Sequence, residues 1–174
     1  MTGGWRLRRA SEDDAAAAAL VAGATFLQTF AGILSGSDIV AHVGRKSSAG
    51  QFADWARDPA TVVVLAEHEA GAAPIGYTVL TTPDLPGPAG AADIELRRIY
   101  ILAGCHGSGL GPALMARAVD DARDMGMARV WLGVLATNGR ARAFYEKQGF
   151  RLAGERRFLV GDSWFDDVVY ARDL

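Results

Sequence analysis

His106-Gly107-Ser108-Gly109-Leu110-Gly111-Pro112 is the stretch on which the reading of the fold turns. It follows the strand pattern Ile94 to Ile101 and leads into Leu110, Leu114, Ala118, Ala122 and Met125 at helical spacing. The stretch therefore reads as the turn between a strand and a helix. Ser108 or Gly109 opens that helix, Pro112 fits its first turn and Gly126 ends it. A strand running into a glycine-rich turn and then a helix aims several backbone N–H groups, and the positive end of the helix dipole, at one spot. That spot favours an anion, although an ordinary strand–helix turn can carry the same letters. Spacing separates the phosphate motifs. Gly111 is followed by Pro112-Ala113, where a P-loop has Lys-Ser or Lys-Thr. The glycines fall at relative positions one, three and five, whereas a dinucleotide fingerprint has one, three and six. Triphosphate and dinucleotide sites are both disfavoured.

Outward from this turn, the rest of the chain reads as alternating sheet and helix. A strand over Trp5 to Arg9 leads to Ser11, an N-cap with Glu12, Asp13 and Asp14 in the first turn, and to an alanine-rich helix reaching Phe26 to Phe30. Less regular helical material continues through Ser37 to His42 and Ser48 to Arg57, closing at Asp58-Pro59. Thr61 to Glu67 and Ile75 to Thr81 form an antiparallel hairpin about the Gly71 to Pro74 turn. A loop rich in proline and glycine spans Thr82 to Ala92. In the strand Ile94 to Ile101, Ile94 and Leu96 share one parity while Ile99 and Ile101 share the other. A β-bulge near Arg97 and Arg98 would restore them to one face, and a strand buried on both faces reads the same way. Arg129 to Leu135 is a strand, Gly139 to Gln148 a helix ended by Gly149, and Phe150 to Val160 with Asp166 to Arg172 a closing hairpin.

Composition narrows the function. The 174 residues suit one domain, 1–174, and no apolar run reaches the roughly 18 residues of a membrane span. Eighteen basic against twenty acidic residues lack the positive excess of a duplex-binding domain, so nucleic acid is a poor partner. Arg6, Arg8 and Arg9 are followed by acidic residues rather than an apolar core, which argues against a secretory signal and for the cytoplasm. The single cysteine, Cys105, excludes an internal disulfide, and His42, His68 and His106 have no metal-ligand spacing, so no metal is expected.

A second stretch, Asn138-Gly139-Arg140-Ala141 through Tyr145 to Gly149-Phe150, completes a pattern. Together with Gly109 and Gly111 it resembles the GNAT superfamily of acetyl-CoA-dependent N-acetyltransferases. The likeness extends to Thr25-Phe26, Thr29-Phe30, Ile75-Gly76-Tyr77 and Glu95-Leu96-Arg97-Arg98-Ile99-Tyr100, which look like the PaiA-type branch with its polyamine acetyltransferases. His106 departs from the pattern, standing where the family has Gln or Arg. The resemblance implies an α/β fold of the α+β type: a twisted, mostly antiparallel sheet of about seven strands with a parallel central splay, flanked by helices. It also implies acetyl-CoA as cosubstrate in that splay, held by His106, Gly107, Ser108, Gly109, Leu110, Gly111 and Pro112 at the diphosphate, with Asn138 and Tyr145 in contact. Ile99, Tyr100 and Ile101 would bind the pantetheine arm and supply an oxyanion donor.

Transfer to an amine needs a free lone pair, and an alkylamine of pKa about 10.4 is almost wholly protonated at pH 7. Glu95 stands where some members of the family carry a general base; a salt-bridged strand carboxylate is the structural alternative. Tyr145 takes the family's general-acid position, against the alternative of a packed helix aromatic. Asn138 can cap its helix, touch the cofactor, or both. Cys105 reads as an incidental thiol. The implied acceptor is a small-molecule primary amine, a polyamine first. Rival readings are a protein N-terminus, an amino acid or an aminoglycoside as acceptor, and a non-catalytic acetyl-CoA-binding regulatory module. Dimers are common in the family, which makes a homodimer an expectation.

Overall fold

The computed structural model describes residues 4–85, 90–160 and 163–174, apart from the side chains of residues 158, 160 and 163. The chain falls into two compact units, Met1–Val79 with Arg98–Leu114, and Leu80–Arg97 with Met115–Leu174. Two strands and a helix run from one unit into the other, so the expectation of one domain meets a chain with two centres of packing.

In the first unit, β1 (Trp5–Arg9) pairs antiparallel with β2 (Val62–His68), from Trp5 opposite His68 to Arg9 opposite Val64. The short link to β3 (Pro74–Thr81) can only make a hairpin, since parallel neighbours need a crossover of a dozen residues or more. A short 3-10 turn, Glu12–Asp14, precedes α1 (Ala15–Phe30). Asp14 accepts from the Ser11 N–H at 2.8 Å, and Arg8 grips its two carboxylate oxygens at 2.6 and 2.7 Å. Arg8 also donates to the buried Glu67, as does Arg6. These guanidinium contacts hold both carboxyls below the ordinary range.

The segments expected to be less regular form two proper helices, α2 (Gly36–Lys46) and α3 (Ala49–Arg57). Serine caps explain the gain in order: Ser35 accepts from Asp38 N–H at 3.1 Å and Ser48 from Gln51 N–H at 3.2 Å. Ala15, Ala18, Val21 and Ala22 of α1, spaced along one face, then close over Phe52, Val63, Leu65, Tyr77 and Val79 as one buried cluster.

The second unit is built on β4 (Asp93–Ile101), β5 (Arg129–Leu135), β6 (Arg151–Val160) and β7 (Ser163–Asp173). Helix α4 (Leu110–Asp124) carries the chain from β4 to β5, and β4 and β5 are parallel, as such a crossover requires. Strand β7 lies antiparallel to both β5 and β6, and the strand order is β1-β2-β3-β4-β5-β7-β6. The mostly antiparallel seven-stranded sheet with one parallel step agrees with the expected fold class. Strand β4 buries Ile94, Glu95 and Leu96 in succession, so its first half is covered on both faces. A register shift does occur, in β6, between Leu152 and Gly154. Residues 86–89 of the expected Thr82 to Ala92 loop lie outside the described residues. No described helix is long and apolar enough to cross a membrane.

Candidate functional site

The glycine turn belongs to the first unit. After β4 the chain makes a 3-10 turn, Ala103–Cys105, then passes Gly107 and Gly109 with φ of 81° and 83° before α4 begins. Side chains other than glycine are strained in that region. A Cβ on either glycine would meet no atom within 4 Å, so conformation rather than crowding requires glycine, and the space outside is open. The hydrogen bonds alternate. His106 N–H donates to Ala103 O at 3.1 Å and Ser108 N–H to Cys105 O at 3.3 Å, while the Ser108 hydroxyl donates to Cys105 O at 2.7 Å. Leu110 N–H reaches only the Ser108 hydroxyl, at 3.4 Å. The N–H groups of Gly107, Gly109 and Gly111 have no acceptor among the described residues. The convergent run of donors expected from His106 to Pro112 is thus three alternate glycine amides at a helix N-terminus, the other amides being spent on closing the turn. An anion with several oxygens fits this open set of donors. Cys105 is buried beneath it.

Upstream, Ile99, Tyr100 and Ile101 are half-buried. Gly76 of β3 explains how β4 comes so near: a Cβ there would stand 2.9 Å from both the Tyr100 carbonyl oxygen and Ile101 Cγ2. Tyr100 stacks on the buried Tyr77 with centroids 5.9 Å apart. Arg98, two residues back on the same strand, donates to Lys46 O at 2.6 Å and Ser47 Oγ at 3.0 Å, and so ties β4 to the end of α2.

In the second unit, register sorts the side chains onto two faces. One face carries Ile94, Val130, Leu132, Val134, Val168 and Tyr170, all buried. The opposite face carries Glu95, Trp131, Gly133, Asp167 and Arg156. Glu95 is 5% exposed, and its Oε2 accepts from the Asp84 N–H at 2.7 Å and from Arg97 at 3.1 Å. The salt-bridged alternative is therefore realised; it leaves the base role open, because both donors engage one oxygen. Asp167 pairs with Arg156 at 3.1 Å, and burial raises its carboxyl despite that partner.

Helix α5 (Gly139–Lys147) owes its ends to the expected motif. Asn138 caps it, accepting from Ala141 N–H at 3.1 Å. Gly149, with φ of 83°, closes it: Gly149 N–H donates to Glu146 O and Phe150 N–H to Tyr145 O, the double bond pattern of a Schellman motif. Its accompanying contact is Tyr145 against Phe150, with centroids 6.1 Å apart. Asn138, Tyr145, Gly149 and Phe150 thus form one local device whose capping role needs no ligand. Tyr145 is half-buried and lies 6.4 Å from the Tyr170 ring, on the apolar side of the sheet, opposite Glu95.

Two groups escaped the sequence. The Tyr170 hydroxyl, fully buried, donates to Glu146 Oε1 at 2.7 Å and accepts from Arg142 Nε at 3.2 Å, pinning α5 to β7. The spacing of Arg142 and Glu146, one helical turn apart, was the available signal. The other is Trp131, whose place beside Glu95 depends on strand register alone.

Comparison with known proteins agrees with this fold. Residues 31–150 match the acetyltransferase (GNAT) family. An N-acetyltransferase of Mycobacterium bovis with no characterised substrate is 35% identical over 161 residues, covering 92% of this chain and 98% of that one. The crystal structure of PaiA N-acetyltransferase from Thermoplasma acidophilum in complex with coenzyme A superimposes with a TM-score of 0.79 at 21% identity, covering 98% and 99% of the two chains. That of the ribosomal-protein-alanine N-acetyltransferase from Brucella melitensis gives 0.74 at 22% identity over 97% and 99%. The family model covers more than half of the chain and the mycobacterial relative nearly all of it, and the chain belongs to the GNAT family of acetyltransferases.

Proposed function

We propose that this chain moves an acetyl group directly from acetyl-CoA to a primary amine, within a single catalytic domain. The observation that carries the reading is the row of uncommitted amides at Gly107, Gly109 and Gly111. They would hold the diphosphate, with His106 at its rim in place of the family's Gln or Arg and Ser108, Leu110 and Pro112 shaping the turn. Asn138 would contact the cofactor in addition to capping α5. Acetyl-CoA supplies a thioester carbonyl to the amine, and the chain's own groups manage the charge. Glu95 takes the proton from the incoming ammonium, Tyr145 gives its hydroxyl proton to the departing sulfur, and a backbone N–H within Ile99–Ile101 donates to the carbonyl oxygen. Support for the pair comes from their placement: Glu95 and Tyr145 lie on opposite faces of the sheet, so a thioester lying along the edge of β4 is approached by the amine from one side and protonated from the other.

The PaiA likeness makes a polyamine the first small-molecule acceptor to try, and the Brucella melitensis neighbour makes a protein N-terminal alanine the second. The test is thiol release from acetyl-CoA against a panel of amines, with Tyr145→Phe as the control. Turnover on at least one amine, lost in the variant, supports the reading. Tight coenzyme A binding without turnover on any amine would convert it to a binding module. A homodimer, the family's habit, is read by sedimentation.

A further inference from the structure

The face of the second unit that carries Glu95 holds a donor with no partner among the described residues. Trp131 is the register partner of Glu95 in the parallel β4–β5 ladder, so the two side chains leave the same face of strands about 4.8 Å apart. Trp131 is 8% exposed, and the Arg129 guanidinium lies 5.6 Å from the centroid of its ring. Two residues farther along this face is Gly133, where a Cβ would come within 2.7 Å of the Arg156 guanidinium. Ring and surroundings are thus well packed. The indole N–H is the exception: Trp131 Nε1 is buried and has no hydrogen-bond partner among the described residues.

Buried polar groups are paired in folded proteins, because leaving one unmade forfeits its bond to water with nothing in return. An indole nitrogen donates and cannot accept, so only an acceptor atom completes this site. Polyamines at neutral pH carry ammonium groups, which are donors throughout. An amine whose neighbouring carbon bears a carbonyl or carboxylate has the missing acceptor, and its oxygen lies about one strand spacing or less from its nitrogen.

We infer that Trp131 binds the acyl acceptor, donating its indole N–H to an oxygen beside the amine that Glu95 deprotonates, and that the acceptor is an α-amino carbonyl compound rather than a polyamine. The inference rests on Glu95 as base. On entry the acceptor's amine takes the place at Glu95 Oε2 now held by the Asp84 N–H.

The experiment is a titration of the ¹⁵N-labelled protein, first saturated with coenzyme A, by three probes of similar size: glycinamide, glycine and 1,2-diaminoethane. The indole signal of Trp131 is assigned through its backbone resonances. A downfield shift of that indole proton with glycinamide or glycine, and none with the diamine, is expected. Glycinamide alone moving it points to a peptide-like acceptor, and glycine alone to a free amino acid. An unmoved signal with both, or an equal shift with the diamine, overturns the inference. Trp131→Phe, which keeps the ring and removes the donor, is expected to cut kcat/KM for the shifting compound about tenfold relative to the diamine. A coenzyme A response at the glycine turn with no indole response sinks this inference alone. No coenzyme A response at all sinks the reading beneath it.

Discussion

The glycine turn and helix α5 use the same device to opposite ends. Both depend on glycines near φ of 83°, Gly109 in one and Gly149 in the other. At α5 the glycine folds the chain back so that Gly149 and Phe150 donate to the last carbonyls, and Asn138 satisfies the first turn. Both ends of α5 are thus closed chiefly by its own chain. At the turn, Gly107 and Gly109 take the same conformation, yet the amides of Gly107, Gly109 and Gly111 have no acceptor among the described residues. The first region is closed largely by its own bonds, whereas the second leaves three glycine amides open among the described residues. A left-handed glycine therefore marks a change of direction, and the hydrogen bonds around it decide between closure and recognition.

The strongest way to test that contrast is at Tyr145, which sits inside the closed region and yet is assigned chemistry. Tyr145→Phe keeps the ring that packs on Phe150, so unfolding midpoints should match the parent while kcat falls by about 10² to 10⁴, the range of general-acid assistance. An unchanged kcat would leave Tyr145 a packing residue. Next come the two glycines. Gly109→Val should weaken coenzyme A binding, measured by calorimetry, by roughly tenfold to a hundredfold through a misdirected amide. Gly149→Val should spare affinity and cost about 1 to 2 kcal/mol of stability in denaturant titration. Equal effects on both quantities in both variants would erase the distinction. Asn138→Ala is smaller, about 1 kcal/mol for a lost cap, and any larger loss of coenzyme A affinity would show that Asn138 also touches the cofactor.

The remaining effect lies away from both regions. His42 stacks on Phe26, and burial, with Arg98, Lys46 and Arg45 nearby, lowers its pKa from the usual 6.5 to about 4. The folded imidazole is neutral while the unfolded one protonates first. Stability is therefore intact above the unfolded pKa and declines as pH falls from about 6.5 towards about 4. Thermal midpoints across that window should drop in the parent, flatten in His42→Gln, and keep the parental slope in both glycine variants.

Periodicity and punctuation carried much of this architecture. Proline at Pro59, glycine at Gly126 and Gly149, and the β-branched run through Val62 to Val64 mark their elements by local physics, which a reader of the sequence can apply. Helices α2 and α3 are blurred in the sequence because glycines at Gly36, Gly44 and Gly50 weaken their propensity, and the Ser35 and Ser48 caps that offset this are single residues rather than a periodic pattern. The donors of the turn were legible as a group and not one by one, since the letters cannot say which amide a tight turn consumes. Glu95 was legible as a candidate, but its tie to Asp84 depends on where the preceding loop passes, and its tie to Arg97 on a side-chain rotamer. Trp131 was out of reach for a similar reason: its neighbour is set by the register of a parallel pair separated by a whole helix.

The most direct measurement is amide hydrogen exchange, residue by residue, with and without coenzyme A. Slowed exchange at Gly107, Gly109 and Gly111 upon addition, with the already bonded amides of His106 and Ser108 little changed, is the predicted result. Binding that leaves those glycine amides exchanging at the free rate would contradict the account.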